Sequence, residues 1–226
     1  MNTRTAVVVV AAAVVVAAAV LFFLSGAGAP PGGPGQLPSV EVRSYNGQDL
    51  SAIASVPENA INGTQYIDTS TYRLTVTGLV ANTTVYTYDQ VLDTHPHYTQ
   101  VVTLNCVEGW SATILWQGVL VSDLIRNAGI DPRANTVIFH ATDGYTTSFP
   151  LSYIMEDNVL LAYRMNNVTL DPEHGYPFRL VAGDKWGYKW IKWVDTIEIS
   201  DNANYEGYWE QRGYSNIGDL NASQFA

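Results

Sequence analysis

Strand-like hydrophobic patterns dominate the chain after its first 38 residues. Tyr72–Val80 (YRLTVTGLV) alternates and ends near a turn signal. Gln100–Asn105, Thr113–Trp116, Thr136–Ala141, Leu160–Met165 and Phe178–Val181 are β-branched or aliphatic runs of strand length. Trp190–Ile199 (WIKWVDTIEI) alternates throughout, so it reads as one long strand. Helical spacing is scarce. Val119–Ala128 sets Leu120, Leu124 and Ile125 on one face and meets a stop at Gly129, and Ser152–Met155 reads as a short helical turn. The pattern predicts an α+β domain, β-rich with a mixed sheet and long loops, over residues 39–226. The tail from Asp201 is polar but carries Tyr205, Tyr208, Trp209 and Tyr214, which predicts that it packs back on the domain.

The N-terminal region follows a different pattern. Ala6–Leu24 is an unbroken run of 19 Ala, Val, Leu and Phe residues, about the length that crosses hydrocarbon as a helix. The only charged side chain before it is Arg4, and the next charge is Glu41. That asymmetry predicts an N-terminus inside and the rest of the chain outside. Residues 1–24 are read as an uncleaved signal anchor. A cleaved signal peptide is the alternative, with Ala27-Gly28-Ala29 as its site. Residues 25–38, rich in Gly and Pro and free of charge, read as a flexible tether. The expected location is therefore extracytoplasmic: membrane-anchored through residues 6–24, or secreted if the signal is removed.

Composition narrows the function. A formal net charge of −10 argues against nucleic acid as a partner, because phosphate backbones need a basic face. The single cysteine, Cys106, rules out an internal disulfide and a multi-thiolate zinc site. It lies at the end of a strand-like run, in Leu104-Asn105-Cys106-Val107-Glu108-Gly109-Trp110, where a strand gives way to a loop. A lone cysteine is often a small buried apolar residue. A lone thiolate can also be a nucleophile or a metal ligand.

The three lysines, Lys185, Lys189 and Lys192, all fall close together, just after His174 and Arg179. Lysine binds phosphate as a point charge and arginine as a fork, so this cluster is a candidate anion pocket. The alternative is a solvated positive patch paired with the chain's acids. On a regular strand Lys189 and Lys192 would face opposite sides, so a shared pocket requires a loop or bulge near Gly187–Trp190. Asp143-Gly144-Tyr145 reads first as a turn after a strand. If it borders a site, Asp143 and Tyr145 are positioned to meet substrate.

These pieces form an ordered set. Cys106-Val-Glu-Gly-Trp-Ser111, Trp116-x-Gly118-x-x-x-x-Asp123-Leu124, Asp143-Gly144-Tyr145, Leu161-Ala162-Tyr163-x-Met165-Asn166, His174-Gly175-x-Pro177-x-Arg179-Leu180, Lys189-x-x-Lys192-Trp193 and Gly207-Tyr208-Trp209 occur in this order. The string resembles the sulfite oxidase-like family of molybdopterin-dependent oxidoreductases, nearest in motif to the periplasmic methionine sulfoxide reductase type. The resemblance covers about Tyr72 to Tyr214. It implies a molybdenum–molybdopterin cofactor with Cys106 as the protein thiolate on the metal. It also implies that His174 and Arg179 hold the pterin and its phosphate, with Lys189, Trp190, Ile191 and Lys192 completing that site. Asn59 and Ala141 are further contacts on the same grounds.

The implied activity is two-electron oxygen-atom transfer on a small substrate such as a sulfoxide or sulfite, with Tyr145 and Asp143 on the substrate side and a separate redox protein or membrane carrier as electron partner. The alternative is an anchored, non-enzymatic module that has lost the cofactor. The chain departs from its relatives in three places. Asn105 stands where the reductase type has an arginine before the cysteine. Val107-Glu108-Gly109-Trp110 stands where sulfite oxidases carry arginines. The N-terminus holds one arginine, Arg4, rather than an adjacent pair.

Overall fold

The computed structural model describes residues 40–226. The proposed anchor at residues 6–24 and the tether at 25–38 lie outside the described residues. Among those described, no helix is long and apolar enough to cross a membrane.

A short hairpin opens the fold, β1 (Ser44–Tyr45) with β2 (Gln48–Asp49). Asn46 and Gly47, both at positive φ, make its two-residue turn. Then follow β3 (Leu74–Gly78), β4 (Thr84–Tyr86), helix α1 (Tyr88–Thr94), β5 (Tyr98–Asn105), β6 (Ser111–Leu120) and α2 (Val121–Arg126). The second half holds β7 (Thr136–Ala141), β8 (Thr146–Pro150), α3 (Leu151–Glu156), β9 (Leu160–Met165), β10 (Val168–Thr169), β11 (Arg179–Val181) and β12 (Val194–Ser200).

Two five-stranded sheets carry the domain. The first runs β10-β9-β6-β5, with β11 also paired to β9, and every pairing in it is antiparallel. The second runs β4-β3-β12-β7-β8 and is mixed, because β12 is parallel to β3 and antiparallel to β7. One apolar cluster draws on both sheets, with Trp116 and Leu161 from the first and Val76, Phe139 and Ile197 from the second. The β-rich mixed-sheet architecture agrees with the sequence pattern.

Two local irregularities position the cavity residues. The register of β6 against β9 shifts between Gln117 and Gly118. A Cβ on Gly118 would stand 2.4 Å from the Leu161 carbonyl oxygen, so only glycine permits that approach. The second irregularity corrects the sequence pattern. Regular strand begins at Val194 rather than Trp190. Gly187–Lys189 forms a 3-10 turn, and Trp193 takes φ +53°, a backbone conformation uncommon for a bulky side chain. The segment is held there by tertiary bonds. Trp193 Nε1 donates to Pro172 O at 2.9 Å, and Thr142 N donates to Trp193 O at 3.1 Å.

Candidate cofactor and substrate cavity

Strand β5 pairs with β6 along the whole length of β5, from Tyr98↔Gly118 to Asn105↔Ser111. Their connection, Cys106–Trp110, is a tight loop in which Gly109 takes φ +90°. Cys106 N donates to Trp110 O at 2.9 Å, and Gly109 N donates to Cys106 O at 3.1 Å. The loop therefore holds Cys106 at the end of a rigid ribbon. Gly187 packs across it, where an added Cβ would be 3.2 Å from Asn105 O and 3.6 Å from Cys106 Cα. Cys106 and the 183–193 segment are thus locked together.

Cys106 opens onto a cavity of about 270 Å³. Of the residues singled out in the sequence, Asn59, Asp143, Tyr145, His174, Arg179, Trp190, Ile191 and Lys192 line it as well. Lys189 and Ala141 are not in its wall. Ala141 ends β7 packed in the core. Lys189 is completely buried, and its ammonium donates to Ser148 O at 2.6 Å, Glu210 Oε1 at 2.8 Å and Asn216 O at 2.9 Å. The expected contribution of Lys189 to an anion pocket is therefore corrected. The 3-10 turn sends Lys189 inward, while Lys192, past the turn, reaches the cavity.

Arg179 begins β11 opposite Ala162 and is almost wholly buried. Its Nη1 donates to His174 O at 3.2 Å, its guanidinium lies 5.0 Å from the centre of the Trp116 ring, and its Nε has no partner. Burial pulls its pKa down to about 10, against a smaller opposing pull from Asp171. A buried guanidinium with no carboxylate on it and an unsatisfied N–H is costly by itself. Lys192 is its neighbour. A Cβ on Gly175 would lie 3.0 Å from Arg179 Cβ and 3.1 Å from Lys192 Cβ. The Lys192 ammonium donates to Glu173 O at 2.8 Å, lies 3.6 Å from Glu58, and is pushed down to about 8, first by burial and then by Arg179.

His174 contributes a ring that is already positioned. Its Nδ1 is 2.8 Å from Asp171 Oδ1 and its Nε2 is 3.2 Å from Val56 O. Tyr145 also lines the cavity with its ring, because its hydroxyl donates to Tyr188 O. Asp143 accepts from Tyr145 N at 2.9 Å, the turn expected from the sequence, and burial pushes its carboxyl up.

Several lining residues were not singled out as site residues in the sequence, Glu108, Trp209 and Tyr214 among them. Glu108 accepts from Asn59 Nδ2 at 3.0 Å, from Trp110 Nε1 at 3.1 Å and from Cys106 Sγ at 3.8 Å. Asn59 and Trp110 hold its carboxyl below the usual range. Burial pushes the Cys106 thiol up, and the Glu108 carboxylate adds to that rise. Trp209 and Tyr214, in the tail, form another part of the wall, with ring centres 5.4 Å apart. Their sequence signals were the aromatic content of the tail and, for Trp209, the Gly207-Tyr208-Trp209 piece of the ordered string.

The wall suits a molybdopterin group on its own chemistry. It offers one thiol for a soft metal, and two adjacent cations, the buried Arg179 and the partly buried Lys192, for a phosphate.

Comparison with known proteins agrees. Residues 61–209 match the oxidoreductase molybdopterin binding domain family. The uncharacterized oxidoreductase YuiH of Bacillus subtilis (strain 168) is 37% identical over 155 residues, covering 68% of this chain and 77% of that protein. The putative protein-methionine-sulfoxide reductase subunit YedZ1 of Azospira oryzae is 34% identical over 165 residues, covering 72% of this chain and 62% of that one. The crystal structure of the sulfane dehydrogenase SoxCD from Paracoccus pantotrophus superposes with a TM-score of 0.63 at 27% identity, covering 69% of this chain and 44% of that one. The chain thus spans less than two thirds of the Azospira and Paracoccus proteins. On the cavity and the match together, this chain belongs to the sulfite oxidase-like family of molybdopterin-binding oxidoreductases.

Proposed function

We propose that this chain is an extracytoplasmic molybdenum–molybdopterin oxidoreductase that transfers an oxygen atom to or from a small substrate, a sulfoxide, sulfite or a similar compound. A separate redox protein or membrane carrier serves as its electron partner. The observation that carries this reading is that the only thiol of the chain and a buried arginine with no carboxylate partner line one cavity. When bound, the cofactor supplies two-electron oxygen-atom chemistry.

The protein supplies binding, orientation and charge. Arg179 and Lys192 would neutralise and orient the phosphate. Cys106, held rigid by the hairpin, would serve as the thiolate ligand. The Tyr145 hydroxyl is engaged by Tyr188 O, so Tyr145 shapes the substrate side with its ring rather than passing a proton. The sulfoxide in the name of the Azospira relative and the sulfane in that of the Paracoccus structure support a sulfur-centred substrate. The Ala6–Leu24 run and its charge asymmetry support the location.

The deciding measurement is metal and pterin content of the full chain purified from its native host. Stoichiometric molybdenum that disappears in Cys106→Ser is the expected result, and a metal-free native protein overturns the reading. For the location, protease added to intact cells should digest the domain; protection would contradict it.

A further inference from the structure

One side of the cavity wall is a loop rather than a strand. Val56, Pro57, Asn59, Ala60 and Ile61 line it there, between the 3-10 turn Ile53–Ser55 and β3. Val56 is buried, with its carbonyl oxygen 3.2 Å from His174 Nε2. At the far end Ile67 packs on the core, and the buried Tyr72 donates its hydroxyl to Val194 O. Residues 57–66 span these two fixed points and are mostly exposed. Among the described residues, no main-chain hydrogen bond joins 57–66 to the rest of the fold. Two adjacent side chains make the polar ties instead. Glu58 Oε1 lies 3.6 Å from Lys192 Nζ, and Asn59 Nδ2 donates to Glu108 Oε2 at 3.0 Å. One tie reaches the cations, and the other reaches the loop of Cys106. Thr64 Oγ1 donates to Glu58 Oε1 at 2.7 Å, so that carboxylate is also bound to its own loop. A segment held this lightly opens at low cost while β5 and β6 stay paired.

We propose that residues 57–66 are a strap over the anion end of the cavity, and that the Glu58 carboxylate is a built-in competitor which an incoming phosphate displaces from Lys192. The assignment rests on the phosphate reading of Arg179 and Lys192. A sheltered ammonium is costly without an anion beside it, and Glu58 is the carboxylate paired with it. A phosphate on the same ammonium repels Glu58 and frees that end of the strap, leaving Asn59 as the remaining tie. The coupling is reciprocal: the closed strap weakens phosphate binding by the factor by which phosphate weakens closure. Asn59 fixes the strap to Glu108 without competing for the ammonium, so the two ties separate in mutants.

The test uses the cofactor-free full chain, inorganic phosphate at an ionic strength matched with KCl, and chymotrypsin. Tyr66 is the one aromatic residue of the strap and is 81% exposed. Cleavage after it requires the strap to leave its seat, and its rate is normalised to that of a peptide substrate in the same buffer. Phosphate should speed the nicking of wild type roughly three- to tenfold. Glu58→Gln should nick faster without phosphate, gain nothing more from it, and bind phosphate roughly three- to tenfold more tightly by calorimetry. Asn59→Ala should also nick faster but keep its phosphate affinity within about twofold. Phosphate that binds wild type without changing its nicking overturns the strap and leaves the phosphate pocket standing. So does a Glu58→Gln variant that binds phosphate more tightly yet nicks at the wild-type rate, because charge alone then explains the gain. Failure of both wild type and Glu58→Gln to bind phosphate overturns the pocket and the strap with it.

Discussion

The ammonium of Lys189 stands 2.8 Å from Glu210 Oε1, and neither side chain has any exposed surface. Glu210 also accepts from Thr147 Oγ1 at 2.6 Å. The pair pins the tail against β8 just beyond Trp209, which lines the cavity. Breaking such a pair from one side leaves a buried charge uncompensated. Lys189→Met is expected to lower stability by about 3–5 kcal/mol. Lys189→Met with Glu210→Leu should recover a large part of that loss. Denaturant unfolding of both variants checks this, and a single variant within about 0.5 kcal/mol of wild type would refute the clamp.

Gly207 bears on the same wall. A Cβ there would lie 2.2 Å from the Thr146 carbonyl oxygen and 2.7 Å from Thr147 Cα, both backbone atoms. Gly207→Ala should therefore lift the tail from β8. Hydrogen exchange in residues 207–214 is expected to accelerate strongly while β6 and β9 keep their protection. Unchanged exchange in that segment would count against the packing described.

Lys192 gives a pH dependence. Its proton is lost at about 8 in the fold against 10.5 for an ordinary lysine. Between those values the unfolded chain binds more protons than the folded one, so stability rises with pH. The cofactor-free protein should gain stability from pH 8 to 10.5, and Lys192→Met should flatten that gain. Binding of inorganic phosphate should change in the opposite direction, weakening as pH climbs through 8, because the ammonium that attracts it is lost. Thermal melts and phosphate titrations over this range measure both.

Arg179 has a partly empty donor set. Arg179→Lys keeps the charge but loses the fork, and it should reduce cofactor retention at least tenfold, about the 1.4 kcal/mol of one modest charge-assisted bond. Pterin released by denaturation of the purified protein reports it. Full retention in Arg179→Lys and Arg179→Ala alike would remove the phosphate pocket.

The parts of the fold legible in sequence are those where local pattern and burial agree. Thr136–Ala141 and Leu160–Met165 are central strands with nearly continuous burial, and their apolar runs end where the strands do. Helix α1 went unread because Val91 is its one buried residue, so no apolar stripe betrays it. Its signal was a capping box, in which Gln90 N donates to Thr87 Oγ1 and Thr87 N donates to Gln90 Oε1. Strand β8 (TTSFP) is buried at its centre by the tail, which its own residues do not reveal.

The site divides in the same way. Cys106, His174, Arg179 and Lys192 were legible through their order along the chain, and all reach the cavity. Lys189 was grouped with Lys192 by nearness in sequence. A 3-10 turn and a left-handed Trp193 point them to different places, and the partner that claims Lys189 lies in the tail. The charge of Glu108 was visible as a departure from relatives, but its hold on Asn59 and Trp110 required the hairpin geometry.

The parallel pairing of β3 with β12, which sets Thr75 beside Thr196, imposes an order on synthesis. The second sheet closes only after nearly the whole domain has been made, and such distant contacts form slowly. Cys106 is made near the midpoint of the chain, Arg179 and Lys192 late, and Trp209 later still. A nascent chain therefore carries an unliganded thiol through roughly the second half of its elongation. Cofactor insertion must wait for a nearly finished polypeptide.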